Sequence, residues 1–176
     1  MFTLDKAMFA YEPYPVSYCA DVFSADDYLA LAKSYPAVEL FQHKPELGDK
    51  YSLSERNNGD KYSAFLRSEP IWAKLHAFVK SERFIRDTFA YLKSRNIDLG
   101  LDRFRFTAKP RAKKSGLVSR ILGYPELGAR FEFSAMGGNG GHILPHTDSP
   151  NKLVTLVLSM NVPGEWDEAW GGGTQI

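Results

Sequence analysis

The sequence has very little cysteine and no excess of charge of either sign. Cys19 is the one cysteine in 176 residues, so the chain can form neither an internal disulfide nor a zinc site built on cysteine. A single thiol fits a reducing compartment, where disulfides are rare. The formal net charge is +1, so the field of the whole protein does not favour a polyanionic partner.

Long apolar segments are also missing. No run approaches the roughly 20 apolar residues of a transmembrane helix. The first residues, MFTLDKAMFAYEPYPV, lack the basic start and the apolar stretch of a signal peptide. We therefore expect a cytoplasmic protein with no membrane partner. The remaining composition, with 44% hydrophobic and 24% charged residues, is typical of a globular domain, and the length suits a single one.

Helical patterns dominate the first hundred residues. Ser24, followed three positions later by a carboxylate, is a typical N-cap and predicts a helix that ends before Pro36. Apolar residues spaced along one helix face predict two further helices over about 69–80 and 82–95. Ser81 is the predicted N-cap of the second of these helices.

Two other parts of the first half are predicted to be extended or irregular. Residues 13–24 contain two prolines among aromatic and β-branched residues, which indicates an extended segment. The polar residues 43–63 are predicted to form a long loop with a short strand at about 51–54. Long loops often have functions as lids or binding loops, although a solvated connection is an equal alternative.

After Gly100 the hydrophobic period changes from that of a helix to that of a strand. The resulting fold class is α+β, or a β-sandwich with helical support. The apolar run LVTLVLSM has the character of a central strand that is buried on both faces. We expect strands near residues 103–107, 130–135, 142–146, 153–160 and 171–176, with a glycine-rich turn over 137–141.

Seven basic residues and no acidic residue lie between positions 103 and 120. They could bind a phosphate or another anion, or they could lie in a solvated loop. Aromatic side chains for base stacking are confined to Phe104 and Phe106, which fit the core better. We therefore do not expect a nucleic-acid partner. The basic residues are Arg103, Arg105, Lys109, Arg111, Lys113, Lys114 and Arg120.

His146 and Asp148 form an H-x-D motif. Residues two apart in an extended backbone project from the same face, so an imidazole nitrogen and a carboxylate oxygen can converge on one metal ion. Pro145 and Pro150 restrict the backbone on either side. A histidine and a carboxylate, completed by a second histidine, form the facial triad of non-heme Fe(II) oxygenases. The motif predicts a metal site; the alternative is a turn aspartate beside a packed histidine.

The motif belongs to a longer pattern, PHTDSP…VTLVLSMN…WGGGT. Over about residues 130–176 this pattern resembles the prolyl-4-hydroxylase-like branch of the iron(II)/2-oxoglutarate-dependent dioxygenase superfamily. Residues 13–36, an extended PYPV stretch and then a helix and Tyr-Pro, also resemble the start of such domains. The resemblance implies a double-stranded β-helix, or jelly roll, in a single domain over 1–176. Residues 1–100 would be mainly helical support, and 101–176 the first part of the jelly-roll core.

The resemblance also implies an activity and its residues. His146 and Asp148 would bind Fe(II) and carry catalysis, with 2-oxoglutarate as co-substrate. The enzyme would hydroxylate a peptide residue or a small molecule while converting 2-oxoglutarate and O₂ to succinate and CO₂. Candidate contacts to 2-oxoglutarate are Arg130, Thr155 and Ser159. Arg130 could instead occupy an exposed strand position, and Ser159 stands where relatives often have a tyrosine.

Two functional residues of the family do not occur in this sequence. The family has a second metal-binding histidine and an Arg or Lys that anchors 2-oxoglutarate, both after the Gly-Gly segment, whereas the sequence given ends at Ile176. We therefore expect a C-terminally truncated chain, with possible self-association through an unfinished sheet. The other histidines are His43, His76 and His142.

Each of these three histidines has a different expected place. His142 could lie near the metal as a neighbouring group or as a ligand. His43 could reach the metal from its loop. His76 is expected to be a surface or packing residue.

Two alternatives to an active hydroxylase remain open. The first is a non-catalytic metal-binding or interaction module with the same fold, or an inactive fragment, which the missing ligand and anchor favour. The second is a nucleic-acid demethylase of the same superfamily, which only the basic residues support.

Overall fold

The structure, a computed structural model, describes residues 2, 4, 6–108, 123–138, 141–143, 146, 148–162 and 164–170. Within these residues the protein is a mixed α+β molecule with four α-helices and seven short strands. The chain groups into two compact units, Met1–Phe65 with Phe133–Ile176, and Leu66–Glu132. The α+β prediction is confirmed at this level, and the single domain stays a prediction.

The first unit contains two small sheets and one complete helix. The first sheet is an antiparallel hairpin, in which Phe9 lies opposite Ser17. The second sheet has the strand order β3-β4-β7, and β3 and β4 are antiparallel. The elements are β1 (Met8–Ala10), β2 (Val16–Tyr18), α1 (Ala25–Lys33), β3 (Gln42–Lys44), β4 (Lys50–Ser54) and β7 (Glu132–Met136).

The second unit is mainly helical. Its sheet consists of two short parallel strands, in which Arg105 lies opposite Glu126. Trp72 of α3 is buried and meets Phe131 edge-on, with ring centroids 6.4 Å apart. His76 packs against the same ring, which is one of the two places, surface or packing, expected for it. The elements are α2 (Gly59–Ser68), which begins in the first unit, α3 (Pro70–Val79), α4 (Glu82–Ser94), β5 (Arg105–Phe106) and β6 (Glu126–Leu127).

The helices predicted from local signals are present. The hydroxyl of Ser24 accepts a hydrogen bond from the backbone N–H of Asp27 at 3.2 Å, which caps α1. The hydroxyl of Ser81 does the same for the N–H of Phe84 at 3.1 Å in α4. Each cap satisfies a backbone donor that the first helical turn leaves unpaired.

The predicted loop over 43–63 is wrong in its last part, where α2 begins at Gly59. Asn58 precedes the helix with a positive φ of 61°, and its side-chain amide donates to the carbonyl of Leu40 at 2.7 Å. Tyr62 and Phe65 are both buried. Their spacing was the available helical signal, but the Asn-Asn-Gly sequence before them is equally typical of a turn. The strand predicted at about 51–54 is confirmed as β4.

The core of the first unit is built around Phe133 of β7, which is 2% exposed. Three aromatic rings meet it edge-on, with centroid distances of 5.7 Å for Tyr35, 6.1 Å for Tyr62 and 5.4 Å for Phe65. The next residue, Ser134, is exposed. The strand predicted near 130–135 is therefore present as β7, with neighbouring side chains on opposite faces.

Two predicted strands are wrong. The described residues of 142–146 have no regular secondary structure, and neither does the whole apolar run 153–160. Leu156 is 45% exposed and Val157 75% exposed, so this run is not a buried central strand. A buried strand needs paired neighbours and a layer on each face. The apolar sequence shows only that a residue tolerates burial, and not that such neighbours are present.

Two further predictions fall outside the described residues. They are the strand at 171–176 and most of the basic stretch. Among the described residues, no helix is both long enough and apolar enough to cross a lipid bilayer.

Leu53 of β4 is buried and Val157 of the apolar run is exposed, so replacing each by alanine should affect stability differently. Leu53→Ala, at a position that is 0% exposed, should lower the free energy of unfolding by about 2–5 kcal/mol, because it leaves a cavity. Val157→Ala should change it by less than about 0.5 kcal/mol. Urea denaturation followed by circular dichroism measures both. A loss of 2 kcal/mol or more at Val157, on the order expected for a buried residue, would contradict the exposed placement.

Candidate functional site

Asp148 is the centre of a small polar cluster. Its Oδ2 accepts a hydrogen bond from the hydroxyl of Thr155 at 2.6 Å, and its Oδ1 accepts one from the ammonium of Lys152 at 2.5 Å. The turn after Asp148 makes both contacts possible, because the N–H of Lys152 donates to the carbonyl of Ser149 at 2.8 Å. Pro150 stands at the second position of this turn, where its fixed φ is favourable.

These contacts hold the carboxyl of Asp148 in its charged form. The hydrogen bond from Lys152, followed by that from Thr155, lowers the pKa of Asp148 below its ordinary value, and partial burial opposes the shift. The charge of His146 acts in the same direction as the two hydrogen bonds, so its ring lies within electrostatic range of the carboxylate. Asp148 is therefore an anionic oxygen donor, and a histidine precedes it by two residues in the chain.

The donor chemistry of this pair suits a divalent metal ion, since non-heme Fe(II) sites combine imidazole with carboxylate. Within the part of the chain that the structure describes, no group of three His, Cys, Asp or Glu side chains could hold a metal. His146 and Asp148 thus supply two donors of a possible site. Because the ammonium of Lys152 already contacts one carboxylate oxygen, a metal ion at that oxygen would compete with it.

Two tyrosines hold the chain before and after the H-x-D motif. The hydroxyl of Tyr35 donates to the carbonyl of Ser134 at 2.9 Å and accepts from the N–H of Ser134 at 3.1 Å. The hydroxyl of Tyr28 does the same at Asn161, with distances of 2.7 and 3.1 Å. One phenol can make both bonds because it has a donor and acceptor lone pairs. Each hydroxyl therefore makes the two backbone hydrogen bonds that a neighbouring strand could make.

The two remaining histidines of the first unit are engaged with the β3–β4 hairpin. The Nε2 atom of His43 lies 3.2 Å from Oδ1 of Asp49, and its ring stacks on Tyr51 with centroids 4.6 Å apart. To act as a third metal ligand, His43 would have to leave both partners. The backbone N–H of His142 donates to the carbonyl of Gly48 at 3.1 Å.

The three residues predicted to contact 2-oxoglutarate have different surroundings. Thr155 lies on Asp148, whereas Ser159 is exposed in the run that forms no strand. In the strand predicted over 153–160, Thr155 and Ser159 would lie on the same face, but these residues form no strand. Arg130 belongs to the second unit, is exposed, and pairs with Glu132 at 3.6 Å.

The described part of the basic stretch is engaged in local contacts. Arg103 donates to the hydroxyl of Tyr124 at 3.1 Å, and Arg105 forms an ion pair with Glu126. These contacts favour a structural role for both arginines over an anion site. The other five basic residues, from Lys109 to Arg120, lie outside the described residues.

Comparisons with protein-family models, with curated proteins and with solved structures found no significant match. The resemblance to dioxygenases therefore depends on the motif residues and on the apolar and glycine-rich segments that follow them. Of the site residues, sequence reasoning missed Lys152. Its charge and its place one turn after Asp148 were the available signal.

Removing the Lys152 ammonium tests the electrostatics of the cluster. In Lys152→Met we expect the pKa of Asp148 to rise toward the ordinary value of about 3.9, because the largest cause of its lowering is lost. NMR titration of the Asp148 carboxyl carbon measures this. Asp98, whose pKa is lowered by Gly100 and Lys93, is the internal control and should not change. An Asp148 pKa that is the same in both proteins would contradict the assignment.

The direction of the pH effect on stability follows from the same shift. A carboxyl whose pKa is lowered in the folded state stabilises the fold fully above its unfolded pKa of about 3.9. That contribution is lost as the pH falls through the lowered folded-state pKa. The acid-induced loss of stability should therefore be smaller in Lys152→Met than in the wild type.

The hydroxyl of Tyr28 makes two hydrogen bonds, so removing it should lower the stability of the protein measurably. Tyr28→Phe should lower the free energy of unfolding by about 0.5–1.5 kcal/mol per hydrogen bond lost. Tyr18→Phe is the matched control, because Tyr18 is 64% exposed. If both variants unfold at the same urea concentration, the contact between Tyr28 and Asn161 does not stabilise the protein.

Proposed function

We propose that this chain contributes the metal-binding H-x-D element of an Fe(II)- and 2-oxoglutarate-dependent dioxygenase of the prolyl-4-hydroxylase-like branch. The observation that carries the proposal is the state of Asp148. Thr155 and Lys152 keep its carboxyl anionic and oriented, and His146 lies within electrostatic range. An anionic oxygen donor beside an imidazole is the pair that such a metal site requires.

Each residue of the cluster has a part in this proposal. Asp148 and His146 would bind the metal through one carboxylate oxygen and one ring nitrogen. Thr155 would keep its hydrogen bond to Oδ2 and so fix the carboxylate orientation, as outer-shell partners of metal ligands do. Lys152 would give up Oδ1 to the metal, because two cations compete for the same oxygen. The contacts to 2-oxoglutarate expected for Arg130 and Ser159 stay predictions of the family resemblance, and the observed contacts of the two residues do not support them.

The bound iron with 2-oxoglutarate and O₂ would supply the oxidising chemistry, with succinate, CO₂ and a hydroxylated peptide residue or small molecule as products. The protein's own part is to hold the two donors in place and to leave the rest of the metal accessible to substrates. The proposal includes a jelly-roll core. The α+β content and the small antiparallel sheets support it without defining it.

A second candidate function is a non-catalytic metal-binding or interaction module with the same fold. One observation favours it: Arg130, which was expected to contact 2-oxoglutarate, is exposed and forms an ion pair with Glu132. Such a module would bind a divalent ion through His146 and Asp148 with water completing the coordination. It would not bind 2-oxoglutarate at the metal.

Anaerobic titration with Fe(II), with and without 2-oxoglutarate, tests the proposal. When 2-oxoglutarate chelates the iron through its keto acid end, a charge-transfer absorption band in the green is expected. His146→Ala and Asp148→Ala should each abolish the band, because each removes a donor. His43→Ala is the matched control, since it removes an imidazole that is held in the β3–β4 hairpin, and it should leave the band unchanged.

The other outcomes distinguish the two candidates. Fe(II) binding that depends on Asp148 but gives no band with 2-oxoglutarate would favour the non-catalytic module. A band that survives in both His146→Ala and Asp148→Ala would contradict the assignment of the ligands. A band lost in His43→Ala would identify His43 as the third donor.

A further inference from the structure

The turn of the β3–β4 hairpin contacts the chain just before the H-x-D motif. Gly48 and Asp49 both have positive φ values, of 71° and 57°. The carbonyl of Gly48 accepts the hydrogen bond from the backbone N–H of His142 at 3.1 Å. A hydrogen bond between two backbone groups depends on how closely the two segments approach, and not on the side chain of either residue.

A glycine is required at position 48 for two independent reasons. The positive φ favours glycine, because a side chain in this region is strained. A Cβ atom there would also overlap the carbonyl oxygen of His142 and lie 2.8 Å from its carbonyl carbon. The hairpin turn and the segment at His142 therefore approach more closely than they could if position 48 were any residue other than glycine.

A second close backbone contact lies just before His142, between Gly141 and Gly137. The N–H of Gly141 donates to the carbonyl of Gly137 at 3.1 Å, and a Cβ atom on Gly141 would lie 2.8 Å from the same oxygen. Both residues come after β7, whose Ser134 is held by Tyr35. Tyr35 thus holds the chain at Ser134, and Gly48 holds it at His142.

We propose that Gly48 is a positioning residue for the candidate metal site: its close contact with His142 fixes the chain that carries His146 and Asp148. This inference rests on the proposed function, because positioning has meaning only if the two residues bind a metal. A chain held in place needs less ordering when the metal binds. Loss of groups that orient metal ligands weakens metal binding by roughly 10–100-fold.

The experiment compares two glycines with similar backbone conformations. Gly48 and Gly100 have φ values of 71° and 65°, but a Cβ atom on Gly100 would have nothing within 4 Å. Gly48→Asn and Gly100→Asn place the residue that best tolerates a positive φ at each site. The two variants share the backbone cost, and only Gly48→Asn introduces the overlap with His142. Gly48→Ala and Gly100→Ala form a second pair if either asparagine variant fails to fold.

Two quantities are measured on each protein: the Kd for Fe(II) under anaerobic conditions, and the hydrogen exchange rate of the His142 amide. We expect Gly48→Asn to raise the Kd by roughly tenfold or more and to accelerate exchange at His142. Gly100→Asn should change neither quantity. The exchange rate reports on the contact itself, whereas the Kd reports on its effect at the metal.

Three results would overturn the inference. The His142 amide could exchange in the wild type as fast as in an unstructured peptide, which would show that the contact does not form. Gly48→Asn could accelerate exchange but leave the Kd unchanged, or both asparagine variants could raise the Kd equally. Failure of the proposed function has a different signature: the wild type would bind no Fe(II) while its His142 amide is protected, and the positioning role would fall with it.

Discussion

The first unit depends on the burial of Phe133. Its ring is enclosed by Tyr35, which follows α1, and by Tyr62 and Phe65 of α2. Each such aromatic pair contributes about 0.5–1.5 kcal/mol beyond the burial of its area. Because Phe133 lies on β7, its burial fixes the strand from which the motif segment departs, and Tyr35 then binds both backbone groups of the adjacent Ser134. This aromatic core therefore holds the strand that precedes the motif in the chain.

The electrostatics of the site follow from one turn. Pro150 helps to fold the chain after Asp148, which brings Lys152 and Thr155 to opposite oxygens of the same carboxylate. The carboxylate is thereby prepared as an anionic donor, although the ammonium of Lys152 also competes with a metal for it. The pair is substantially exposed to solvent, and exposed ion pairs contribute little stability. Under the proposed function, a divalent ion that also binds His146 would therefore displace the ammonium at small cost.

Sequence reasoning predicted the elements that depend on residues within a few positions of one another. It failed for elements that depend on residues distant in the chain. The caps at Ser24 and Ser81 act within one helical turn, so both helix starts could be predicted. The apolar run 153–160 was predicted to be a buried strand, but burial depends on neighbours that its own residues do not specify. The bonds from Tyr28 to Asn161 join residues that are distant in the chain, and no local pattern indicates them. His146 and Asp148 could be selected from their spacing, whereas the contact between Gly48 and His142 required the structure.

The central claim is that His146 and Asp148 bind one metal ion. Paramagnetic relaxation by Mn(II) tests it most directly, because the ion broadens NMR signals of nearby nuclei without requiring turnover. Substoichiometric Mn(II) should broaden the signals of His146, Asp148 and Thr155 first, and Asp148→Ala should abolish this effect. Broadening that begins at other carboxylates, such as Glu82 and Asp87 of α4, or that persists in Asp148→Ala, would contradict the account.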